Sequence, residues 1–175
     1  MNKAVFFDRD GTINVDKQYL YRIEDFEFLP DVPQVLGELR KRGYLLILIT
    51  NQSGIARGYY TIEQMGRLHR YMQKELERFG AQFDDIMFCP HCPSGIISQY
   101  AIHCNCRKPG RELFEQAIEK HRIDPKASIA IGDKDRDLIP AKELGMKCIK
   151  ISNEKNNNWI TCSTVNQIMK YISHK

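Results

Sequence analysis

The sequence lacks any apolar run that approaches the roughly 20 residues needed for a membrane-spanning helix. Its first segment, Met1–Asp8, turns acidic too soon for the roughly 7–15-residue apolar core of a secretory signal. It also lacks a cluster of basic residues, since 26 Lys and Arg against 22 Asp and Glu leave a net charge of only +4, which favours small anionic ligands over nucleic acid. We therefore expect a cytoplasmic protein with no membrane or nucleic-acid partner.

The chain has 175 residues, of which 42% are hydrophobic and 27% charged, enough apolar material for one globular core. We expect a single domain over residues 1–175, and a monomer. Six cysteines without a secretory signal indicate metal or thiol chemistry in preference to a disulfide framework. Four of them fall between Cys89 and Cys106, and the isolated Cys148 and Cys162 are expected to be packing residues.

Short apolar runs alternate with longer segments of helical spacing, a pattern typical of a doubly wound, mostly parallel α/β sheet. We predict strands at Lys3–Phe7, Tyr44–Ile49, Asp85–Phe88, Ser128–Ile131 and Lys147–Ile151. We predict helices at Val32–Arg42, Ile62–Phe79 with Thr61 as its cap, Arg111–His121, Leu138–Leu144 and, after a turn at Asn153–Asn158, about Val165–Ile172.

Polar residues follow three of the predicted strands. These segments are Asp8–Thr12, Thr50–Gly54 and Gly132–Asp137. In an open parallel sheet the ligand crevice lies beyond the carboxyl ends of the strands, so the three segments should meet at one rim.

Three carboxylates at such a rim, Asp8, Asp10 and Asp133, would repel one another unless protonated or bound to a cation. Oxygen ligands without histidine suit Mg²⁺, which commonly shares its coordination with a phosphate. Asp8 and Asp10 can supply a nucleophile and a general acid, although spacing alone leaves open which residue takes which role. Thr50 and Lys108 could donate to phosphate oxygens. Each is also common in an ordinary loop, and their joint placement at strand ends favours function.

These residues resemble the four motifs of the haloacid-dehalogenase (HAD) superfamily of phosphotransferases: Asp8-Arg9-Asp10-Gly11-Thr12, Thr50, Lys108, and Gly132-Asp133 with Asp137. The resemblance implies a Rossmann-like fold and Asp8 as the nucleophile. It further implies Asp10 as general acid and base, phosphate donors at Thr50 and Lys108, and Mg²⁺ held by Asp8, the Asp10 carbonyl and Asp133. The short segment between Asp10 and Thr50 leaves room for only a minimal cap.

The clustered cysteines form two pairs, Cys89-X-His91 and Cys104-X-Cys106, which suit tetrahedral Zn²⁺. A closed set of four ligands leaves no position for water, so we expect a structural zinc in a loop at about residues 89–106. Cys92 and His103 are rival ligands by position.

Together with Thr50–Gly58 and Cys104–Pro109, this pattern resembles the heptose-bisphosphate phosphatases within the superfamily. The resemblance implies hydrolysis of the C7 phosphate of a sugar 1,7-bisphosphate through an aspartyl-phosphate. It implies carbohydrate metabolism, leading to lipopolysaccharide precursors for a β anomer and to other glycan donors for an α anomer. It also implies Arg107 as a contact to the second phosphate or the sugar and Lys134 as a contact to an anionic oxygen. The complete set of implied substrate contacts is Asp16, Lys17, Gln18, Tyr19, Asn51, Gln52, Ser53, Arg107 and Lys134.

Three alternatives are weighed against this interpretation. A histidinol-phosphate phosphatase shares the framework, but the 12 residues between His91 and Cys104 are more than that family typically has. A polynucleotide 3′-phosphatase should show a basic groove or stacking aromatic residues, which the sequence does not indicate. A non-catalytic, zinc-stabilised Mg²⁺-binding module would not need the intact Asp8 and Asp10.

Overall fold

A computed structural model describes residues 1–155 and 157–172. Its centre is a six-stranded sheet in which every pair is parallel, in the order β3-β2-β1-β4-β5-β6. The predicted doubly wound, parallel α/β sheet is therefore confirmed. The strands are β1 (Ala4–Phe7), β2 (Leu45–Asn51), β3 (Asp85–Cys89), β4 (Ile129–Gly132), β5 (Lys147–Ile151) and β6 (Ile160–Cys162).

Four α-helices connect these strands: α1 (Val32–Lys41), α2 (Ile62–Glu77), α3 (Glu112–His121) and α4 (Asp135–Glu143). Thr61 caps α2 as predicted, because its hydroxyl accepts from the Gln64 backbone N–H at 3.1 Å while the Gln64 side chain accepts from the Thr61 N–H at 2.9 Å. Short 3-10 helices lie at Ile23–Asp25, Pro125–Ala127 and Val165–Tyr171.

Alternate residues of the strands enter two separate cores, one on each face of the sheet. Val5 and Phe7 pack with α1, α2 and the C-terminal 3-10 helix, whereas Ala4 and Phe6 pack with α3 and α4. Strands covered on both faces need near-continuous apolar sequence, which explains why β1 and β2 are recognisable as apolar runs.

Beyond shifts of one or two residues at element ends, the structure differs from the prediction in three places. The strand β6 was missed, the last helix is a 3-10 helix, and α4 begins at Asp135, three residues before the prediction. The first turn of α4 is polar because Asp137 accepts from the Lys134 backbone N–H at 3.0 Å and so caps the helix N-terminus. The predicted turn at Asn153–Asn158 and the single-domain prediction for 1–175 include residues 156 and 173–175, which lie outside the described residues.

The connections that leave the carboxyl ends of β1, β2 and β3 surround one rim of the sheet. The first two contain only loop and a single 3-10 helix before the next α-helix begins, which agrees with a minimal cap. Across the described part of the chain, no helix has the length and apolarity to span a membrane.

Candidate functional site

Lys108 occupies the centre of the rim. Its side-chain ammonium lies 2.7 Å from Asp8 Oδ1, 2.8 Å from Asp137 Oδ1 and 2.7 Å from the Ile49 carbonyl. The residue is only 3% exposed, so a cation here depends on its carboxylate partners. The Asn51 side chain fixes its backbone by donating to the Lys108 carbonyl at 3.0 Å and accepting from the Lys108 N–H at 2.9 Å.

Carboxylate oxygens of Asp8, Asp133 and Asp137 lie within 4.8 Å of one another. Burial raises the pKa of Asp8, although the Lys108 ammonium opposes the shift, and burial also raises the pKa of Asp133. Oδ1 of Asp133 is buried without a hydrogen-bond partner among the described residues, as expected of an atom that should meet a cation. This donor set fits Mg²⁺.

The Asp137 carboxylate already serves Lys108 and the N-terminus of α4, which leaves Asp8 and Asp133 as the better side-chain ligands. Gly11 lets Asp133 approach closely. It has φ +82°, and a Cβ there would lie 2.6 Å from Asp133 Oδ2.

Asp10 is held by three neighbours. Nη2 of Arg9 contacts both carboxylate oxygens at 3.0 Å, and the Asn14 side chain donates to Oδ1 at 3.0 Å. Gln52 donates to Oδ2 at 3.3 Å and to the Thr50 hydroxyl at 2.8 Å. The general acid and base implied by the resemblance is therefore fixed in one orientation and linked to the implied phosphate donor.

Arg9 is fully buried, although no sequence pattern assigned it a role of its own. Its Nη1 lies 3.1 Å from Nε2 of His69 on α2. Burial, with a smaller contribution from Arg9, lowers the pKa of His69 to about 3, so the neutral ring accepts the hydrogen bond.

A pocket of about 500 Å³ opens beside Asp10. Two of the substrate contacts predicted from the sequence, Lys17 and Lys134, do not line this pocket. The Lys17 side chain instead pairs with Glu27 at 3.2 Å, and the Lys134 side chain pairs with Asp133 at 2.7 Å. The other predicted contacts all line it, namely Asp16, Gln18, Tyr19, Asn51, Gln52, Ser53 and Arg107. Three further residues that were not predicted also line it, Arg57, Tyr60 and Arg136.

The cysteine cluster forms as predicted. Ligand atoms of Cys89, His91, Cys104 and Cys106 all lie within 4.8 Å of one another, and His91 Nδ1 is 3.2 Å from the Cys106 sulfur. Burial raises the pKa of the Cys89 and Cys106 thiols and so disfavours their thiolate forms. A bound cation would be needed to hold both as thiolates. The set has the ligand types and number of a structural Zn²⁺ site.

Neither rival ligand belongs to this cluster. His103 is exposed. The Cys92 sulfur is 3.3 Å from the Ser94 hydroxyl and accepts from Nη2 of Arg57 at 3.5 Å. Hydrogen bonds to Ser94, and the nearby guanidinium of Arg57, lower the pKa of Cys92 against the effect of burial.

The loop that carries the cluster also anchors two arginines of the pocket. Nη1 of Arg107 donates to the His91 carbonyl at 3.1 Å, and Arg57 contacts Cys92 and Ser94. Nε of Arg57 is buried and has no hydrogen-bond partner among the described residues. The pocket thus has two positioned guanidinium groups, which suit an anionic ligand.

The chain is similar to known phosphatases in sequence and in overall fold. A family model described as HAD-hydrolase-like matches residues 105–160. The D-glycero-beta-D-manno-heptose-1,7-bisphosphate 7-phosphatase of Haemophilus ducreyi is 47% identical over 146 residues, 83% of this chain and 80% of the relative. The D-glycero-alpha-D-manno-heptose-1,7-bisphosphate 7-phosphatase of Photorhabdus laumondii is 39% identical, covering 97% of this chain and 96% of the relative.

Among solved structures, the D,D-heptose 1,7-bisphosphate phosphatase from B. bronchiseptica, complexed with magnesium and phosphate, superimposes with a TM-score of 0.83. It is 25% identical, and the match covers 97% of this chain and 99% of that structure. The extent of these matches and the arrangement of the rim lead to one conclusion. The chain belongs to the heptose-1,7-bisphosphate 7-phosphatase family of HAD-like hydrolases and is a phosphomonoesterase.

Proposed function

We propose that this phosphatase removes the C7 phosphate of D-glycero-D-manno-heptose 1,7-bisphosphate and releases the sugar 1-phosphate. The observation that carries the proposal is the position of Asp10 beside Asp8, at a pocket that presents Arg57, Arg107 and Arg136 to a second anionic group. Relatives at 39–47% identity bear the name of this activity.

In the proposed reaction, Asp8 attacks the phosphorus of the C7 phosphate. An aspartyl-phosphate forms as the bond between this phosphorus and the oxygen on C7 breaks. Asp10 donates a proton to the departing oxygen. It then takes a proton from a water molecule whose oxygen attacks the same phosphorus, which restores Asp8 and releases phosphate. Lys108 and Thr50 would bind the phosphoryl oxygens.

Asp8, Asp133 and the Asp10 carbonyl are the proposed Mg²⁺ ligands. When bound, Mg²⁺ would neutralise charge on the transferring phosphoryl group. The solved B. bronchiseptica relative was crystallised with this metal. The fit in this chain rests on the unpartnered, buried Oδ1 of Asp133.

The second phosphate is proposed to bind at Arg107 together with Arg57 and Arg136. Arginine suits this role because its planar fork can contact two phosphate oxygens at once. Lys134 lies at the edge of the same rim with its side chain 55% exposed and its ammonium bonded to Asp133, from which it could also contact an anionic oxygen. Asp16–Tyr19 and Asn51–Ser53 would complete the contacts to the sugar.

We also propose that Cys89, His91, Cys104 and Cys106 hold one structural zinc in the loop 89–106. We further propose a cytoplasmic location, because none of the six cysteines forms a disulfide and a reducing compartment keeps thiols in that state. We propose that the protein acts as a monomer.

The test is phosphate release in the presence of Mg²⁺ from both anomers of the heptose bisphosphate and from histidinol phosphate, compared by kcat/KM. Both anomers are needed because relatives named for each match this chain. Phosphorus NMR should show the C7 phosphate disappear while the C1 phosphate remains. Asp8→Asn should abolish turnover, whereas the control Asp25→Asn, an exposed carboxylate outside the site, should not.

A preference for histidinol phosphate would contradict the substrate but leave the aspartate chemistry in place. Turnover of the bisphosphate by Asp8→Asn at a near-normal rate would contradict the nucleophile. Failure of the purified, metal-replete protein to hydrolyse any of the three would contradict the proposal as a whole.

A further inference from the structure

The Gln52 side chain joins the proposed acid and base to the proposed phosphate donor. The residue is only 1% exposed. Its Nε2 donates to Thr50 Oγ1 at 2.8 Å and to Asp10 Oδ2 at 3.3 Å, while its Oε1 accepts from the Tyr60 hydroxyl at 2.6 Å. Both amide hydrogens and the amide oxygen are therefore used inside the protein.

The direction of this amide follows from the chemistry of its partners. The Gln52 nitrogen faces Oδ2 of Asp10, and this oxygen accepts from it. Its oxygen then faces Tyr60, whose hydroxyl must donate. Burial raises the pKa of Tyr60, which keeps that hydroxyl protonated. A rotated amide would bring its oxygen against the Asp10 carboxylate, where two acceptors repel.

The Tyr60 ring is itself held in place. It stacks on Tyr21, with ring centroids 5.2 Å apart and an angle of 18° between the planes. It also lies against Gly54, where an added Cβ would overlap Cε1 of the ring. Any side chain at Gly54 would force the ring to shift and would move its hydroxyl relative to Gln52.

We propose that Tyr60 is a positioning residue that, through Gln52, fixes Oδ2 of Asp10 and Oγ1 of Thr50 relative to each other. The phenol orients the amide, and the amide sets the separation between the proton-transferring oxygen and the phosphate-binding hydroxyl. Tyr60 thus aligns the proton transfer to the leaving oxygen without taking part in it. This inference rests on the roles of Asp10 and Thr50 in the proposed function, but not on the identity of the sugar.

The primary test is Tyr60→Phe, which removes the hydroxyl and keeps the ring. We expect kcat for an alkyl phosphate ester to fall about tenfold, less than the about 100- to 10,000-fold that general acid–base catalysis contributes as a whole, because Asp10 is displaced and not removed. KM should change less than about twofold. Tyr71→Phe on α2, whose ring packs against Phe26 away from the site, is the matched control and should behave as wild type.

Substrates with different leaving groups distinguish a misplaced proton donor from a general disruption of the active site. Kinetics are measured with heptose bisphosphate, glycerol 2-phosphate and p-nitrophenyl phosphate. Because p-nitrophenolate departs with little need for a proton, Tyr60→Phe should reduce its kcat/KM by less than about threefold. An equal loss on alkyl and aryl esters would overturn the inference, and a rise in KM with kcat unchanged would show that Tyr60 instead contacts the substrate.

Two further variants test the path through Gln52. In a Gln52→Met background, Tyr60→Phe should cause no additional loss, because there is no amide left to orient. Gly54→Ala should reproduce the kinetic pattern of Tyr60→Phe by displacing the ring. Additive losses in the double variant would overturn the inference. If the wild-type protein hydrolyses glycerol 2-phosphate but not heptose bisphosphate, the proposed substrate fails, while the comparison between alkyl and aryl esters still decides the role of Tyr60.

Discussion

Replacing His69 with glutamine should make the protein less sensitive to acid. His69 is 7% exposed, and its Nε2 accepts from Nη1 of the buried Arg9 at 3.1 Å. Protonating the ring would remove the acceptor and place two cations in contact in a buried position. Glutamine has a carbonyl oxygen that can accept from Arg9, but it cannot take up a proton.

The size of the effect follows from the difference between the two states. The pKa of His69 falls from 6.5 to about 3 on folding. Between these limits the unfolded chain binds a proton that the folded protein rejects, so stability falls as the pH falls below 6.5. At about 1.4 kcal/mol per pH unit once the unfolded side chain is protonated, His69 alone should remove about 2 kcal/mol between pH 7 and pH 5.

The assay is urea unfolding followed by circular dichroism at pH 7, 6 and 5, with zinc saturating. Acid also protonates the proposed zinc ligands, but equally in both proteins, so the difference between wild type and His69→Gln isolates the histidine. The control His103→Gln should track the wild type, because this exposed side chain loses little water on folding. Equal losses of stability in wild type and His69→Gln would refute the reasoning.

Two other predictions concern the metal sites. Gly11→Ala should raise the Mg²⁺ concentration for half-maximal activity about tenfold, because the added Cβ would press on Asp133 and a positive φ strains alanine. Gly80→Ala also places alanine at a positive φ, +57°, but no atom lies within 4 Å of the added Cβ, so a similar rise there would contradict the role of Asp133. Metal analysis of the reduced wild type should find one zinc per chain, and the control Cys148→Ser should keep it. Cys104→Ser should lose this zinc. Retention of one zinc per chain by Cys104→Ser would contradict the ligand set.

The sheet was predictable because its strands are covered on both faces. Such strands need apolar residues at nearly every position, as in β1, where Ala4–Phe7 are all apolar and buried. The strand β6 escaped because Ile160–Cys162 has only three residues at the sheet edge. The polar first turn of α4 hid the helix start, since Asp135 and Asp137 are favourable there through the helix N-terminus and not through burial.

The site was predictable where chemistry follows directly from strand ends, as at Asp8 and Asp133. It was not predictable where the contact joins distant segments. His69 comes from the apolar side of α2, and nothing in its sequence spacing indicates that it meets Arg9, 60 residues earlier. Arg57 lies within the Thr50–Gly58 motif that carried the family resemblance. Its position in the pocket, however, depends on contacts with Cys92 and Ser94 in the loop at residues 89–106.

The loop at residues 89–106 orients two arginines of the pocket. Long arginine side chains lose conformational freedom when they bind phosphate, and this loss weakens binding unless the side chains are already ordered. The His91 carbonyl holds Arg107, and Cys92 and Ser94 hold Arg57, so both guanidinium groups are oriented by the residues adjoining the proposed zinc. Lys108 is anchored separately, by Asp8, Asp137 and the Asn51 side chain. The loop at residues 89–106 can therefore set the affinity for the second phosphate of the proposed substrate. The residues at the strand ends separately carry out hydrolysis of the first phosphate.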